Sequence, residues 1–199
     1  SVIEKLRPDL IISTIPLTHK LDIPMISISM FVNTGDEYKI FRAIAELDKR
    51  HYKTEFDNFI KCLILQDYYF YHLECDTWED VISYMCNRLY EGGRVEESFQ
   101  ESTFARERMA FTSFSYGYAI PHALNYSTIH STMSIAILKK PVQWGEYQVR
   151  LVLLLAVRDD ERELLKIFFD WLGNICDDTL LLSKIMKAES AEAFVGLIE

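Results

Sequence analysis

Apolar and polar positions fall into blocks along the chain. Leu10 to Ile15 and Met25 to Ser29 are short β-branched runs, each bounded by proline, and a strand is expected at each. Asp36, beside Gly35, is expected to cap a helix with Ile40, Phe41, Ile44 and Leu47 on one face. Two strands and one helix bury too little to stand alone, so this piece calls for further strands or a partner surface. The polar stretch "RHYKTEFDN" marks a boundary near Lys53, which gives units 1–52 and 53–199. Past it, Asp76 and Glu79 read as a capping box, and Trp78, Val81, Ile82, Met85 and Leu89 recur at helical spacing until Gly92 and Gly93. Val95 to Met109 is a more polar, half-exposed helix. Strands are expected near Ser115 to Ile120, Thr132 to Leu138 and Val149 to Val157, the last apolar on both faces and therefore central. Glu161 to Cys176 is an apolar helix carrying Leu164, Leu165, Phe168, Trp171, Leu172 and Ile175, and two shorter helices follow. Helices and strands interleave, so the class is α/β.

With 199 residues, 49% hydrophobic and 26% charged, the chain has the make-up of one large globular domain, or of a domain plus a piece. A formal net charge of -9 without any basic stripe argues against binding of a nucleic-acid backbone by this chain. The longest apolar run, Leu151 to Val157, is about a third of a bilayer span, which predicts a soluble, cytoplasmic protein that does not engage a membrane. Cys62, Cys75, Cys86 and Cys176 lie far apart with no zinc-ligand spacing. They are expected to be buried free thiols in a reducing compartment, with no metal and no cofactor. Residue 1 is serine, from which a piece of a longer protein is expected.

The chemistry concentrates in "GYAIPHAL", residues Gly117 to Leu124. Pro121 forces Ile120 into an extended conformation and places His122 at a strand end, where side chains are presented on a rigid scaffold. An imidazole there can attack a phosphoryl group, because its neutral form is abundant near pH 7. Such a site also needs a cation and hydrogen-bond donors, and Arg106, Arg108, Thr112, Ser113 and Ser115 all lie shortly upstream. On these residues alone His122 stays open between a packed histidine and a reacting one. His72 and His130 read as structural or surface groups, and His19 and His51 sit in polar, loop-like contexts. The aromatic run Tyr68 to Tyr71 has no interleaved Lys or Arg and reads as core or interface rather than as a platform for bases. Trp144 with Gly145 reads as a turn anchor.

"ARERMAFTSFSYGYAIPHA" resembles the active segment of the mannitol/fructose-type enzyme IIA of the bacterial sugar phosphotransferase system. The likeness runs over roughly residues 55 to 199, through "GGRVEESF", "ILKKPVQWGEYQVRLVLLLAV" and "LGNICDD". It implies a mixed β-sheet flanked by helices, with His122 as acceptor of phosphate from the phosphocarrier protein HPr and Arg106 as the clamp on the phosphoryl group. The first piece, "RPDLIISTIPL" and "IPMISISMFVNTGDEYKI", resembles the second half of a galactitol-type enzyme IIB domain. Leu17 to Ile23 is a short connection for a parallel crossover, so a parallel α/β arrangement rests on the resemblance. A partial IIB-like unit followed by a IIA-like domain is the order at the carboxyl end of BglG/MtlR-type transcriptional regulators.

Two positions depart from the enzymatic pattern. The family has a second histidine at the start of the helix after the long strand, whereas "AVRDDERELLKIFF" has none at Arg162 to Leu165; Ala105 also stands where an acid is common. The resemblance therefore implies a regulatory fragment of a transcriptional regulator, phosphorylated on His122 by HPr as a signal of sugar availability, in a full-length protein that is a homodimer. The alternative is a IIA phosphocarrier that passes phosphate to an enzyme IIB during sugar uptake.

Overall fold

The computed structural model describes residues 6, 8–15, 23–33, 35–36, 39–40, 43–44, 47, 58–125, 127–161, 168–169, 171–173, 175 and 178–198. The chain divides into two compact units, Ser1–Glu55 and Phe56–Glu199.

In the first unit β1 (Ile11–Ser13) pairs in parallel with β2 (Met25–Ser27), with Ile12 opposite Ile26. The two strands are thus parallel. Asn33, rather than Asp36, begins the helix that follows. Its Oδ1 accepts from the backbone N–H of Gly35 (2.9 Å) and Asp36 (3.1 Å), while Asp36 Oδ2 accepts in return from Asn33 N (3.4 Å) and Ser29 N (3.2 Å). Asn33 and Asp36 are both cap-type residues, and only the three-residue reciprocal geometry decides between them. Burial of Asp36 works against its charge, but hydrogen bonds from Ser29, Lys39 and Asn33 outweigh it and hold the carboxyl below its usual range.

The second unit is a five-stranded mixed sheet between two helical layers. The strands are β3 (Tyr69–Leu73), β4 (Ser113–Phe114), β5 (Tyr118–Ala119), β6 (Thr132–Trp144) and β7 (Tyr147–Ala156). Their order is β3-β6-β7-β5-β4, with β3 parallel to β6, β5 parallel to β7, and antiparallel pairings between β6 and β7 and between β4 and β5. The helices are α1 (Trp78–Glu91), α2 (Phe99–Met109), α3 (Thr179–Ile185) and α4 (Ala191–Ile198). Residues 58–63 are helical as well, and so are the described residues of the expected Glu161 to Cys176 helix from 168 onward.

β7 sits in the middle of the sheet because nothing in "LVLLLA" tolerates water on either face. Leu151, Leu153 and Leu155 pack into one core with Ile135, Phe168, Leu182 and Phe194. Val152, Leu154 and Ala156 pack into the other with Val81, Met85, Leu89, Phe99 and Trp144. Its hairpin with β6 turns at Gly145, whose φ of 62° favours glycine, and an added Cβ there would come within 2.6 Å of the Phe111 ring.

Several local expectations shift. The capping box of α1 is Thr77 with Asp80, one residue past Asp76 and Glu79: Thr77 Oγ1 accepts from Asp80 N (3.1 Å) and Asp80 Oδ2 from Thr77 N (3.2 Å). Val95 lies outside α2 and instead bridges Thr128. Of the strand expected at Ser115 to Ile120 only β5 (Tyr118–Ala119) is strand: residues 115–117 form the turn that reverses the chain after β4, with Gly117 N donating to Phe114 O (3.0 Å). β3 was not anticipated as a strand. It is an edge strand with an irregular register at His72, whose φ is 58°.

The cysteines are less uniformly buried than expected. Cys86 is packed in the second core and burial pushes its thiol up to about 12, but Cys75 is half-buried and Cys62 exposed; Cys176 lies outside the described residues. A thiol on a solvent-facing helical side is not excluded by a pattern that scores cysteine as apolar. Among the described residues no helix is long and apolar enough to cross a membrane.

Candidate phosphoacceptor site

β5 delivers His122. After Ala119 the chain keeps an extended path alongside β7: Pro121 O accepts from Leu155 N (2.9 Å), and His122 pairs in parallel with Leu155 as an isolated bridge. Proline costs nothing here, since the Pro121 carbonyl makes the contact to β7. His122 therefore stands half-buried at the carboxyl end of two parallel strands.

The ring is held at both nitrogens. His122 Nδ1 lies 3.0 Å from Ile120 O, and Arg106 Nε donates to His122 Nε2 at 3.2 Å. A guanidinium can only donate and a carbonyl can only accept, so the proton belongs on Nδ1 and the lone pair on Nε2. Arg106 is in the last turn of α2, and its Nη1 also donates to Ala110 O at 2.8 Å, anchoring the guanidinium on the helix end.

α2 organises the rest. Ser102, one turn before Arg106, accepts at Oγ from Leu124 N (2.9 Å) and Asn125 N (3.0 Å), which pins the loop after His122. Glu107 is fully buried; it accepts from Thr112 N (3.0 Å), from the Thr112 hydroxyl and from Trp144 Nε1 (3.3 Å). The helix expected to be polar and half-exposed buries three of its polar residues, Ser102, Thr103 and Glu107. A cavity of about 240 Å³ opens beside the ring, with His122, Asn125 and Thr128 as its polar groups and Phe99, Leu155 and Phe169 among its walls.

Arg106 and His122 are thus brought together, but the other suggested donors are not. Arg108 turns to Glu101 (3.5 Å) and the Phe104 ring. Thr112 is committed to Glu107, and Ser113 Oγ donates to Trp144 O (2.7 Å). Ser102, Glu107, Asn125 and Thr128 were missed by sequence reasoning. The one available signal was the four-residue step from Ser102 to Arg106 on a helix. His130 is exposed and His72 stacks on Tyr71 at 3.9 Å, while His19, His51 and Arg162 to Leu165 lie outside the described residues. No group of three or more His, Cys, Asp or Glu that could hold a metal occurs among the described residues.

The five-stranded mixed sheet flanked by helices is the fold of solved mannitol-type IIA structures. The chain belongs to the family described as the phosphoenolpyruvate-dependent sugar phosphotransferase system, EIIA 2, which matches residues 62–199. The crystal structure of IIA mannitol from Escherichia coli has the same fold, with a TM-score of 0.58 at 22% identity over 67% of this chain and 96% of that one. The transcriptional regulator ManR of Bacillus subtilis is 28% identical over 196 residues, which is 96% of this chain and 29% of ManR. The mannitol-specific enzyme IIA component of Halalkalibacterium halodurans is 32% identical over 132 residues, or 62% of this chain and 87% of that protein. The chain therefore spans less than a third of the regulator that it matches almost end to end.

Proposed function

We propose that this chain is the regulatory portion of a transcriptional regulator controlled by the sugar phosphotransferase system, and that His122 receives phosphate from HPr at Nε2. The contact of Arg106 Nε with His122 Nε2 carries the reading. It marks the nitrogen with the lone pair and puts a cation where the phosphoryl oxygens arrive. In the transfer the Nε2 lone pair forms the new N–P bond as the bond from phosphorus to the donor's imidazole breaks, with the leaving electron pair returning to that imidazole. The Nδ1 proton stays on the Ile120 carbonyl side throughout, so the acceptor moves no proton. Arg106 shifts from Nε2 to the phosphoryl oxygens, and its tie to Ala110 shortens that movement.

The match to ManR along both units supports a regulator over a free carrier. On this reading residues 1–52 are the end of a IIB-like domain and 53–199 the IIA-like domain of a cytoplasmic homodimer. Nucleic-acid binding then belongs to other parts of the protein, since this chain has a net charge of -9. The phosphoryl oxygens bring negative charge to the cavity, offset in part by the ring that keeps its Nδ1 proton, and this change in charge and bulk can repack a neighbouring surface. The absence of histidine from "RDDERELLKIFF" supports a receiver that does not relay.

A chase experiment separates receiver from carrier. The chain is loaded with labelled phosphate, freed of donor, and mixed with mannitol-, fructose- and galactitol-type IIB proteins. The label is expected to stay on the chain or return only to HPr. Loss to any IIB protein at the rate given by a two-histidine IIA would establish the carrier instead.

A further inference from the structure

A second cavity, of about 290 Å³, opens at the opposite end of β7 from His122. Arg150 projects into it from β7, five residues before Leu155, or about 17 Å along a strand. Tyr116 contributes from the turn between β4 and β5, Thr179 and Ser183 from α3, and Lys187 from just beyond α3. None of these residues belongs to the site around His122.

Arg150 is the telling group. It is half-buried, its Nε is shielded from solvent, and that N–H has no hydrogen-bond partner. Carboxylates are plentiful, with 30 Asp and Glu against 21 Lys and Arg, yet none among the described residues pairs with it. A buried Nε–H without an acceptor costs free energy that a bound oxyanion would return. Lys187 brings a second positive charge to the same hollow. Thr179 and Ser183, four residues apart, share one face of α3 and offer hydroxyl donors.

We infer that this cavity binds a small organic phosphomonoester. Two cations suit a dianion, and the planar fork of Arg150 suits the paired oxygens of a phosphoryl group. The remaining lining is apolar and aromatic, with Leu182, Met186 and the Tyr116 ring placed to cover a carbon skeleton. The volume is at the lower end, about 300 Å³, of small-molecule sites and is roomier than bare phosphate needs. The site goes beyond the phosphoacceptor reading and stands without it.

Calorimetry on the unphosphorylated chain tests this, with a hexose 6-phosphate, the free hexose and inorganic phosphate as probes. The hexose phosphate is expected to bind one to one with a Kd of about 1 mM or below, and about tenfold or more tighter than either of the other probes. Arg150→Gln is expected to weaken it by about tenfold or more. The double variant Tyr116→Ala with Lys187→Gln, both at exposed positions, provides a second arm with the same expected direction. The site is overturned if the hexose phosphate does not saturate by about 10 mM, if inorganic phosphate binds as tightly, or if either variant binds like the parent.

Discussion

His122→Ala is expected to abolish labelling of the chain by phosphoenolpyruvate, enzyme I and HPr, a loss of more than about a hundredfold in rate. The remaining imidazoles of described residues lack the setting: His72 lies against Tyr71 on an edge strand and His130 is exposed, neither with an arginine on its ring. The phosphate lost should be acid-labile and base-stable, as a phosphoramidate is. Arg106→Ala should keep the fold and slow labelling. A guanidinium about 4 Å from a phosphoryl oxygen attracts it by roughly 4 kcal/mol per unit charge at an effective dielectric near 20, before desolvation is subtracted. Arg108→Ala is the control, since that side chain faces Glu101 and Phe104. If His122→Ala were labelled like the parent, the acceptor would have to be sought elsewhere. If only Arg108→Ala slowed labelling, the clamp would be misassigned.

The second large effect belongs to Glu107. Its carboxylate is fully buried and accepts from Thr112 N, the Thr112 hydroxyl and Trp144 Nε1, so it ties α2 to the residue that leads into β4 and to the end of β6. Glu107→Ala strands these donors out of reach of water and is expected to destabilise the chain by about 3–5 kcal/mol. For a unit of this size that lowers the thermal midpoint by roughly 10 °C. Glu107→Gln keeps one acceptor oxygen and should lose distinctly less. Because Arg106 is the preceding residue on the same helix, Glu107→Ala should also slow labelling of the protein that remains folded. Thermal melting followed by Trp fluorescence and circular dichroism gives the answer. A fall of only a degree or two would mean that the Glu107 contacts contribute little to holding α2.

What was legible in the sequence follows from what is local. "LVLLLA" is apolar at consecutive positions, and only a strand covered on both faces suits it, which fixed β7 at the centre. "AIPH" put a proline-stiffened strand end before His122, and the resemblance singled out Arg106 from the upstream donors, sixteen residues away along the chain, which the structure places at 3.2 Å. Glu107 and Ser102 were not legible because a polar residue on a helix reads as solvent-facing until its partner is known. The partners are Trp144, from a different strand, and the backbone of Leu124 and Asn125. Thr112 and Ser113 failed as phosphate donors for the same reason: a hydroxyl is assigned by its nearest acceptor, and theirs are Glu107 and Trp144 O. The one-residue slip at the cap of α1 and the three-residue slip at Asn33 arose where two cap-type residues lie close together and propensity cannot rank them.

The most direct measurement of the central claim is nuclear magnetic resonance of the chain carrying ¹⁵N-labelled histidine, before and after phosphorylation by HPr. Before transfer, His122 should show the neutral tautomer with its proton on Nδ1, as the contacts to Ile120 O and Arg106 require. After transfer, phosphorus should couple to Nε2 of His122 and to no other ring. Phosphorus on Nδ1, or on a different histidine, would contradict the account.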